Sequence, residues 1–250
     1  MMPISTSVPA LDKVIKILDF LTLQPGSTFS HIYQGTSLPK SSTSSLLSSM
    51  VKHGLLRQEN DKFYLGLKLY ELGNHALEKF DIKTLAIPAL TRLRDETHLT
   101  CHLGVLEGTA AIYLAKLESP EAIVVRSWIG KKLSLYSSGL GKALMAWLPE
   151  TEIDLLLEGE KFITHTSTTI SNKEDLKKEL RQIHDRGWSY DNEEDSIGVR
   201  CIAAPIFNKQ QKAIAAISVS GVTFQVPEEK HSWLAQLVQQ AAQSVSDALK

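Results

Sequence analysis

Apolar residues recur at steps of three and four along the first part of the chain, which is the spacing of amphipathic helices. Residues 10–23 predict a first helix, with polar residues between its apolar positions. Pro25 and Gly26 lie in the loop that separates it from a second, shorter helix over residues 28–35. The residues expected to face the core are Leu11, Val14, Ile15, Leu18 and Leu21 in the first helix, and Phe29, Ile32 and Tyr33 in the second.

A third helix and a hairpin are predicted directly afterwards. The helix should cover residues 39–53, because Pro39 suits a first helical position and Gly54 suits the residue just past a helix end. Two apolar-rich runs, residues 55–58 and 62–65, are separated by three polar residues and predict a hairpin. Short helices followed by one hairpin are the element order of a winged helix-turn-helix, which we predict over residues 1–65.

Residues 66–82 form another helical pattern with apolar groups on more than one side. We interpret this run as the core of a linker (residues 66–83) that packs against a partner. The alternative is a fourth helix of the small N-terminal domain.

The remainder, residues 84–250, mixes helical and strand patterns. Strands grouped at both ends, with helices between them, are typical of an α+β sensor domain with one antiparallel sheet. The predicted helices are 84–97, 139–147, 150–157, 173–186 and 227–249. The predicted strands are 99–106, 110–117, 123–128, 188–191, 199–207 and 213–220.

Composition narrows the class of protein. Over 250 residues the net charge is −1, which does not favour a protein that coats nucleic acid non-specifically. The only cysteines are Cys101 and Cys201, so a disulfide framework is not expected. No secretory signal and no long apolar span are visible, and the sequence predicts a cytoplasmic protein without membrane association.

The predicted third helix has the pattern of a helix that binds in a DNA groove. Leu46, Leu47 and Met50 form an apolar stripe, and small polar and basic residues lie outside it. Hydroxyl groups and cations at such positions can bind phosphate oxygens and base edges. The candidate DNA-binding residues are Lys40, Ser41, Ser42, Ser44, Ser45 and Ser48 on the helix, and Arg57 and Lys62 on the hairpin.

Two features limit this interpretation. Six serines between residues 41 and 49 could instead form a flexible linker, although Pro39, the apolar stripe and Gly54 argue against it. Residues 1–65 carry six Lys/Arg and four Asp/Glu, which leaves this head only weakly basic at +2. A monomer with that charge should bind DNA weakly, so we expect a dimer or larger assembly on a palindromic site.

Other chemistries are poorly supported by spacing. His98 and His102 are four residues apart, but the residues between them look like the start of a strand, where the two rings would not converge on a metal. Residues 139–143 resemble a phosphate loop but lack its first glycine and the Ser/Thr after Lys142. We therefore expect no metal, no cofactor and no catalytic residue.

Five segments, in order, resemble the isocitrate-lyase-regulator (IclR) family of bacterial transcription factors over nearly the whole chain. The first two are residues 38–47 (Leu-Pro-Lys-Ser with Leu46-Leu47) and residues 64–73 (Tyr-x-Leu-Gly-x-Lys-Leu-x-x-Leu-Gly). The others are residues 138–143 (Ser-Gly-Leu-Gly-Lys-Ala), residues 191–205 (Asp-Asn-Glu-Glu through Gly-Val-Arg-Cys-Ile-Ala-Ala-Pro) and residues 217–221 (Ile-Ser-Val-Ser-Gly).

The resemblance implies a two-domain protein: an all-α/winged helix-turn-helix head and an α+β GAF-like effector domain with an antiparallel sheet. It also implies a homodimer or dimer of dimers, and a small carboxylate effector. The residues around Asn192 and Lys131 look more like relatives that sense sugar acids. Carried over by position, the effector-binding residues would be Ala122, Val125, Leu133, Gly139, Leu140, Asp191, Val199, Cys201, Ser218 and Ser220.

The chemistry of these positions suits such a ligand. N–H groups at a helix start favour a carboxylate, and glycines there permit close approach. Ser218 and Ser220 alternate along one strand and therefore point to the same face, unless that face is simply solvated. Asp191 can accept from a ligand hydroxyl, or meet a carboxylate only if one of the two is protonated. Cys201 could equally be a small buried apolar residue.

The chain also departs from the family pattern. Family members usually carry arginines at the positions of Pro9 and Ser45, and both arginines would be expected to touch DNA. We therefore expect a different set of DNA contacts.

The main hypothesis is a ligand-switched regulator of a catabolic operon, with a repressor favoured over an activator. A second hypothesis is a metabolite-binding module that acts through protein partners. A third is a hydrolase with Ser218 or Cys201 as nucleophile and Asp191 nearby, but none of the three C-terminal segments that resemble the family contains a histidine base.

Overall fold

The structure is a computed structural model that describes residues 6–77, 82–121 and 126–249. The chain divides into two compact units, Met1–Phe80 and Asp81–Lys250. Within the described ranges, no helix is long and apolar enough to cross a membrane.

The first unit contains the predicted three helices and hairpin. Its elements are α1 (Pro9–Leu23), β1 (Ser27–Thr28), α2 (Phe29–Thr36), α3 (Lys40–Lys52), β2 (Leu56–Glu59) and β3 (Lys62–Leu65). The short strand β1 was not predicted. It pairs with β3, which makes the wing a three-stranded antiparallel sheet in the order β1-β3-β2. The prediction of a winged helix-turn-helix is confirmed.

Local signals explain the ends of α2 and α3. The Thr28 hydroxyl accepts a hydrogen bond from the His31 N–H and so caps α2. Pro39 precedes α3 as its cap residue rather than starting the helix. After α3, Gly54 adopts a left-handed conformation, with φ +72°, as expected for the residue that follows a helix.

The buried side of α1 differs from the prediction. Ile17 and Leu21 are fully buried, and Val14 and Leu18 pack against the same core. Leu11 and Ile15 are 52% and 47% exposed, so the expectation that they face this core is wrong. The reason is that the buried stripe of α1 is centred on Ile17 and Leu21, with Val14 and Leu18 beside them, and Leu11 and Ile15 fall outside it.

The predicted helix over residues 66–82 corresponds to α4 (Leu67–Leu77) and to the start of α5 (Ile82–Thr97). Residues 78–81 lie outside the described residues. On α4, the side chains of Leu67 and Tyr70 are 79% and 70% exposed.

The second unit is built on one antiparallel sheet, as predicted. Its strands are β4 (Thr100–Glu107), β5 (Ala110–Leu117), β6 (Lys132–Leu133), β7 (Ser189–Asn192), β8 (Val199–Phe207) and β9 (Ala213–Val222), in the order β6-β5-β4-β9-β8-β7. The strand predicted over residues 123–128 falls partly on residues 122–125, outside the described residues. Residues 126–128 are not in a strand, and the short edge strand β6 follows instead.

Helices cover both faces of this sheet. On one face, α5 and α9 (His231–Ala248) pack against β4, β8 and β9. On the other face, α6 (Gly139–Met145) packs against β4, β5, β7, β8 and β9. Two further helices, α7 (Glu150–Leu156) and α8 (Lys173–Arg186), complete the unit, and α8 packs behind α6. Because strand residues alternate between faces, every second residue of the central strands faces α6.

One prediction concerns the junction between the wing and α4. A Cβ added at Gly66 would lie 2.0 Å from the carbonyl oxygen of Gly54, whereas nothing lies within 4 Å of a Cβ added at Gly73. Gly66→Ala should therefore lower the free energy of unfolding of the first unit by more than about 2 kcal/mol, since backbone would have to move. Gly73→Ala is the matched control and should raise it by about 0.5–1 kcal/mol through helix propensity. Urea denaturation followed by circular dichroism measures both; equal effects would contradict the contact.

Candidate functional site

The exposed side of α3 carries the predicted DNA-binding residues. Thr43, Leu47 and Met50 are buried in the core of the head, and Leu46 packs against it, so the predicted apolar stripe is confirmed and also includes Thr43. Lys40, Ser41, Ser44, Ser45 and Ser48 are exposed, and Ser42 is half-buried. These residues therefore form one solvated face of small hydroxyl groups with a lysine at its start.

The wing supplies two cations beside this helix. The Arg57 guanidinium lies 4.6 Å from the centre of the Tyr64 ring and forms an ion pair with Glu59. Lys62 is exposed at the start of β3. Part of the charge on Arg57 is neutralised by Glu59, and its remaining N–H donors are available for a phosphate.

Strand pairing brings most of the predicted effector-binding residues together. Asp191 on β7 lies opposite Cys201 on β8, and Cys201 lies opposite Ser220 on β9. Ser218 is two residues from Ser220 on the same side of β9. Above them, α6 begins so close to β8 that a Cβ added at Gly139 would lie 3.0 Å from Sγ of Cys201.

The remaining predicted residues lie around this group. Leu140 packs over Gly104 of β4, and Leu133 lies on β6 at the far edge of the sheet, opposite Ala111. Val199 is two residues before Cys201 and therefore on the same side of β8. Ala122 and Val125 lie outside the described residues.

Two residues that were not predicted belong to the same surface. Thr100 lies opposite Ser220, and His102 lies opposite Ser218, both on β4. We call the surface formed by Thr100, His102, Asp191, Cys201, Ser218 and Ser220 the polar face. The alternation of Thr100 and His102 along an otherwise apolar strand was the available signal, but the pairing of β4 with β9 cannot be read from the sequence.

Several buried polar atoms at the polar face have no hydrogen-bond partner within the described ranges. Among the described residues, no hydrogen-bond partner is found for Oγ1 of Thr100, Nδ1 of His102 or Oγ of Ser218. All three residues are completely buried. The buried hydroxyl of Ser137, just before α6, likewise has no hydrogen-bond partner among these residues. Buried polar groups are normally paired, so these atoms have hydrogen-bonding capacity left for a further polar group.

His102 is held in a fixed orientation. Its ring stacks on Tyr113 with centroids 4.3 Å apart, and Nε2 lies 2.8 Å from the Ser127 hydroxyl. Burial, with Lys116 and Lys131 nearby, lowers its pKa to about 3, so the ring is neutral at physiological pH.

Cys201 and Ser218 do not form an activated nucleophile. Burial raises the pKa of the Cys201 thiol to about 12, despite the nearby hydroxyls of Ser220 and Ser218, so the thiol stays protonated. His102 does lie opposite Ser218, but a ring with a pKa of about 3 is a weak base, and in the described part of the chain no hydrogen bond joins Nδ1 of His102 to Oγ of Ser218. The hydrolase hypothesis therefore lacks its nucleophile–base pair.

Asp191 is buried, and its environment favours the protonated, neutral form of its carboxyl group. Burial, together with the neighbouring Glu194 carboxylate, raises its pKa to about 7. One carboxylate oxygen accepts a hydrogen bond of 2.7 Å from the Glu194 N–H. Near neutral pH, Asp191 can therefore donate a hydrogen bond to a ligand when it is protonated and accept one when it is ionised.

A buried ion pair fixes the polar face to α6. The Lys142 ammonium donates to the Glu194 carboxylate at 2.5 Å and to the Tyr190 carbonyl at 2.6 Å. The side chains of Lys142 and Glu194 are only 1% and 8% exposed. The Ser189 hydroxyl also donates to the Gly139 carbonyl at 2.6 Å. These bonds join the start of α6 to β7 and to the loop that follows it.

The two histidines considered as metal ligands, His98 and His102, lie in different surroundings. His98 follows α5 in a left-handed conformation with its side chain exposed, whereas His102 is buried inside the sheet. In the ranges the structure describes, no three His, Cys, Asp or Glu side chains come together as metal ligands would.

The raised pKa of Asp191 predicts a pH dependence of stability. The pKa of Asp191 is 3.8 in the unfolded chain and about 7 in the fold, so the folded state binds this proton more tightly. The resulting stabilisation of the fold is complete below pH 4 and decreases as the pH rises to about 7. Above that pH the free energy of unfolding no longer changes through Asp191. Asp191→Asn removes this loss, so the stability of the variant relative to the parent should increase from pH 5 to pH 7 and level off above it, as measured by urea denaturation.

Asp175→Asn is the matched control for this series. Asp175 is exposed, and Lys178 lowers its pKa, so this carboxylate is ionised throughout the same range. Its substitution should change stability by the same amount at every pH tested. A flat profile for Asp191→Asn as well would show that Asp191 is not buried as described.

The Lys142–Glu194 pair gives a second prediction. Lys142→Met leaves a buried carboxylate without its partner and should lower the free energy of unfolding of the second unit by about 3–5 kcal/mol. The double variant Lys142→Met/Glu194→Leu should recover most of that loss. Lys178→Met, which breaks an exposed pair with Asp175, should cost less than about 1 kcal/mol. Denaturation midpoints measure all three, and equal losses in the single and double variants would contradict the pairing.

Comparison with known proteins agrees with this organisation. Residues 10–60 match the IclR helix-turn-helix domain, and residues 74–247 match the bacterial transcriptional regulator IclR C-terminal domain. Over 246 residues the chain is 41% identical to the HTH-type transcriptional regulator RhmR of Escherichia coli (strain K12), covering 98% of this chain and 95% of that protein.

Two further relatives point the same way. The transcriptional repressor IclR of Escherichia coli (strain K12) is 30% identical over 249 residues, covering 98% of this chain and 91% of that protein. The crystal structure of Thermotoga maritima IclR superimposes with a TM-score of 0.78 at 32% identity, covering 96% of this chain and 98% of that chain. The chain therefore belongs to the IclR family of DNA-binding transcription regulators.

Proposed function

We propose that this regulator represses a catabolic operon and that a small carboxylate, bound at the polar face, controls its affinity for DNA. The observation that carries the proposal is that buried side-chain atoms of Thr100, His102 and Ser218 have no hydrogen-bond partner among the residues the structure describes. Each would cost about 1–3 kcal/mol if it stayed unsatisfied, and a polar ligand removes that cost.

The surroundings of the polar face suit one carboxylate group. The hydroxyls of Ser218 and Ser220 can donate to it, and so can Asp191 when protonated. The residues Gly139 and Leu140 present backbone at the start of α6, next to Cys201. A second negative charge beside an ionised Asp191 would be repelled, so we expect carboxylate binding to be accompanied by protonation of Asp191.

At the other end of the chain, α3 would insert into a major groove. Its hydroxyls and Lys40 would contact phosphates and base edges, while Arg57 and Lys62 on the wing would lie over the flanking backbone. The weak positive charge of one head supports assembly as a dimer or dimer of dimers on a palindromic operator. The exposed apolar side chains of Leu67 and Tyr70 on α4 are consistent with such an assembly.

Effector binding would change operator affinity only by as much as the effector prefers one arrangement of the protein over another. The domain boundaries 1–65, 66–83 and 84–250 remain part of this proposal, with α4 at the start of the linker.

The DNA-binding part is tested with Lys40→Ala/Arg57→Ala. This double variant should bind the upstream region of its own gene at least about 10-fold more weakly, and the salt dependence of binding should fall by about two charges per head. Lys209→Ala/Lys212→Ala removes the same charge from an exposed turn of the second unit and should leave binding unchanged. Electrophoretic mobility shifts at several salt concentrations measure both.

The result also separates the two remaining hypotheses. If the Lys40→Ala/Arg57→Ala variant keeps full DNA affinity, the contacts proposed for α3 and the wing are contradicted. If the parent protein shifts no fragment of that region, the metabolite-binding module that acts through protein partners is favoured instead.

A further inference from the structure

The turn that follows β7 holds the carboxyl group of Asp191. The chain reverses at Glu193, whose φ of +63° lies in the left-handed region that few residues other than glycine adopt. This reversal brings the Glu194 N–H to 2.7 Å from Oδ1 of Asp191. Among the residues that the structure describes, no other group donates a hydrogen bond to this carboxyl, so its second oxygen is left for a ligand. The orientation of Asp191 therefore depends on where Glu194 is held.

Glu194 is in turn held by two other elements. Its carboxylate accepts from the Lys142 ammonium of α6 at 2.5 Å, and its carbonyl accepts from the Thr169 hydroxyl at 2.6 Å. Thr169 lies in residues 157–172, which we call the α7–α8 segment. We infer that Glu194 is a positioning residue for Asp191, and that Thr169 holds it there from the α7–α8 segment. The inference rests on the proposed role of Asp191 in effector binding.

The hydrogen bonds of the Thr169 hydroxyl show that it does more than close a local turn. A hydroxyl group has one proton to donate and two lone pairs that accept. Its oxygen accepts from the N–H groups of His165 and Thr166, at 3.1 and 2.9 Å, within its own segment. Its single proton goes to Glu194 instead, and the side chain is buried. The hydroxyl therefore joins the α7–α8 segment to the turn after β7.

The α7–α8 segment has a second attachment that does not involve Glu194. The Tyr136 hydroxyl, just before α6, accepts from the Ile163 N–H at 2.8 Å and donates to the Ile163 carbonyl at 3.1 Å. The Tyr136 ring also lies against Phe162, with centroids 4.7 Å apart. Loss of the Thr169 hydroxyl should therefore leave the segment attached to the unit and release mainly the backbone of Glu194.

The charged surroundings of Asp191 determine the direction of the expected change. The titratable groups around its carboxyl are Glu194 and Asp195 in the turn, Lys142 on α6, Cys201 on β8, Tyr113 on β5 and Tyr190 on β7. The Glu194 carboxylate raises the pKa of Asp191, whereas the Glu194 N–H lowers it by binding the ionised form. Lys142 keeps the Glu194 carboxylate in place without Thr169, so a weaker N–H bond should raise the pKa of Asp191 further.

The test is the titration of Asp191 in the full-length protein without ligand. Nuclear magnetic resonance of protein labelled with ¹³C at the aspartate carboxyl carbons follows it, and Asp191→Asn identifies the resonance by its absence. In the parent protein the pKa of Asp191 should be about 7. Thr169→Val should raise this pKa by about 0.5 or more, whereas Thr169→Ser keeps the hydroxyl and should retain the parent value.

Glu194→Gln is a second variant with the opposite expected sign. It keeps the backbone N–H on Asp191 and removes the neighbouring negative charge, so it should lower the pKa of Asp191. Because it leaves the α7–α8 segment intact, it tests the position of Glu194 even if Thr169→Val does not fold.

Thr168→Val is the matched control. Thr168 is exposed in the same segment, and within the described ranges its hydroxyl bonds to that of Thr166 and not to the turn after β7, so this variant should keep the parent pKa of Asp191. If Thr169→Val and Thr168→Val give the same pKa, or if Glu194→Gln does not lower it, the inference is overturned and the proposed function stands. If Asp191 titrates near 3.8 in the parent protein, both the inference and the role proposed for Asp191 in effector binding are overturned.

Discussion

Buried hydrogen-bonding atoms on β4 and β9, without a partner in the part of the chain that the structure describes, are the constraint on which the rest of the second unit depends. Three such atoms, on Thr100, His102 and Ser218, together would cost a few kcal/mol, a large share of the net stability of an ordinary domain. An apolar residue at any of these positions would be cheaper for folding alone. The polar face is therefore best explained as a surface completed by a ligand, in a protein whose family regulates transcription.

The remaining parts of the unit hold this face in place. The sheet face toward α5 and α9 is apolar, while the face toward α6 carries the polar side chains beside the apolar cluster that α6 and α8 form on it. The buried Lys142–Glu194 pair and the bond from Ser189 to Gly139 connect the start of α6 to β7. The same low-dielectric setting keeps His102 neutral and Asp191 partly protonated near neutral pH.

Much of the fold was predictable because it depends on local patterns. Helical periodicity located α1 to α3 and α8, and strand alternation placed Ser218 and Ser220 on one face. The errors arose where distant contacts decide the outcome. The pairing of β1 with β3 and the buried side of α1 depend on neighbours that periodicity does not identify. Thr100 and His102 were missed because only the pairing of β4 with β9, far apart in sequence, shows that they belong to the site.

The most direct measurement is a crystal structure of the full-length protein grown with the acid that it binds most tightly. The account predicts ligand density between α6 and the sheet, with ligand oxygens within about 3.2 Å of Nδ1 of His102 and Oγ of Ser218. Ligand density elsewhere, with those two atoms satisfied by each other or by solvent, would contradict it.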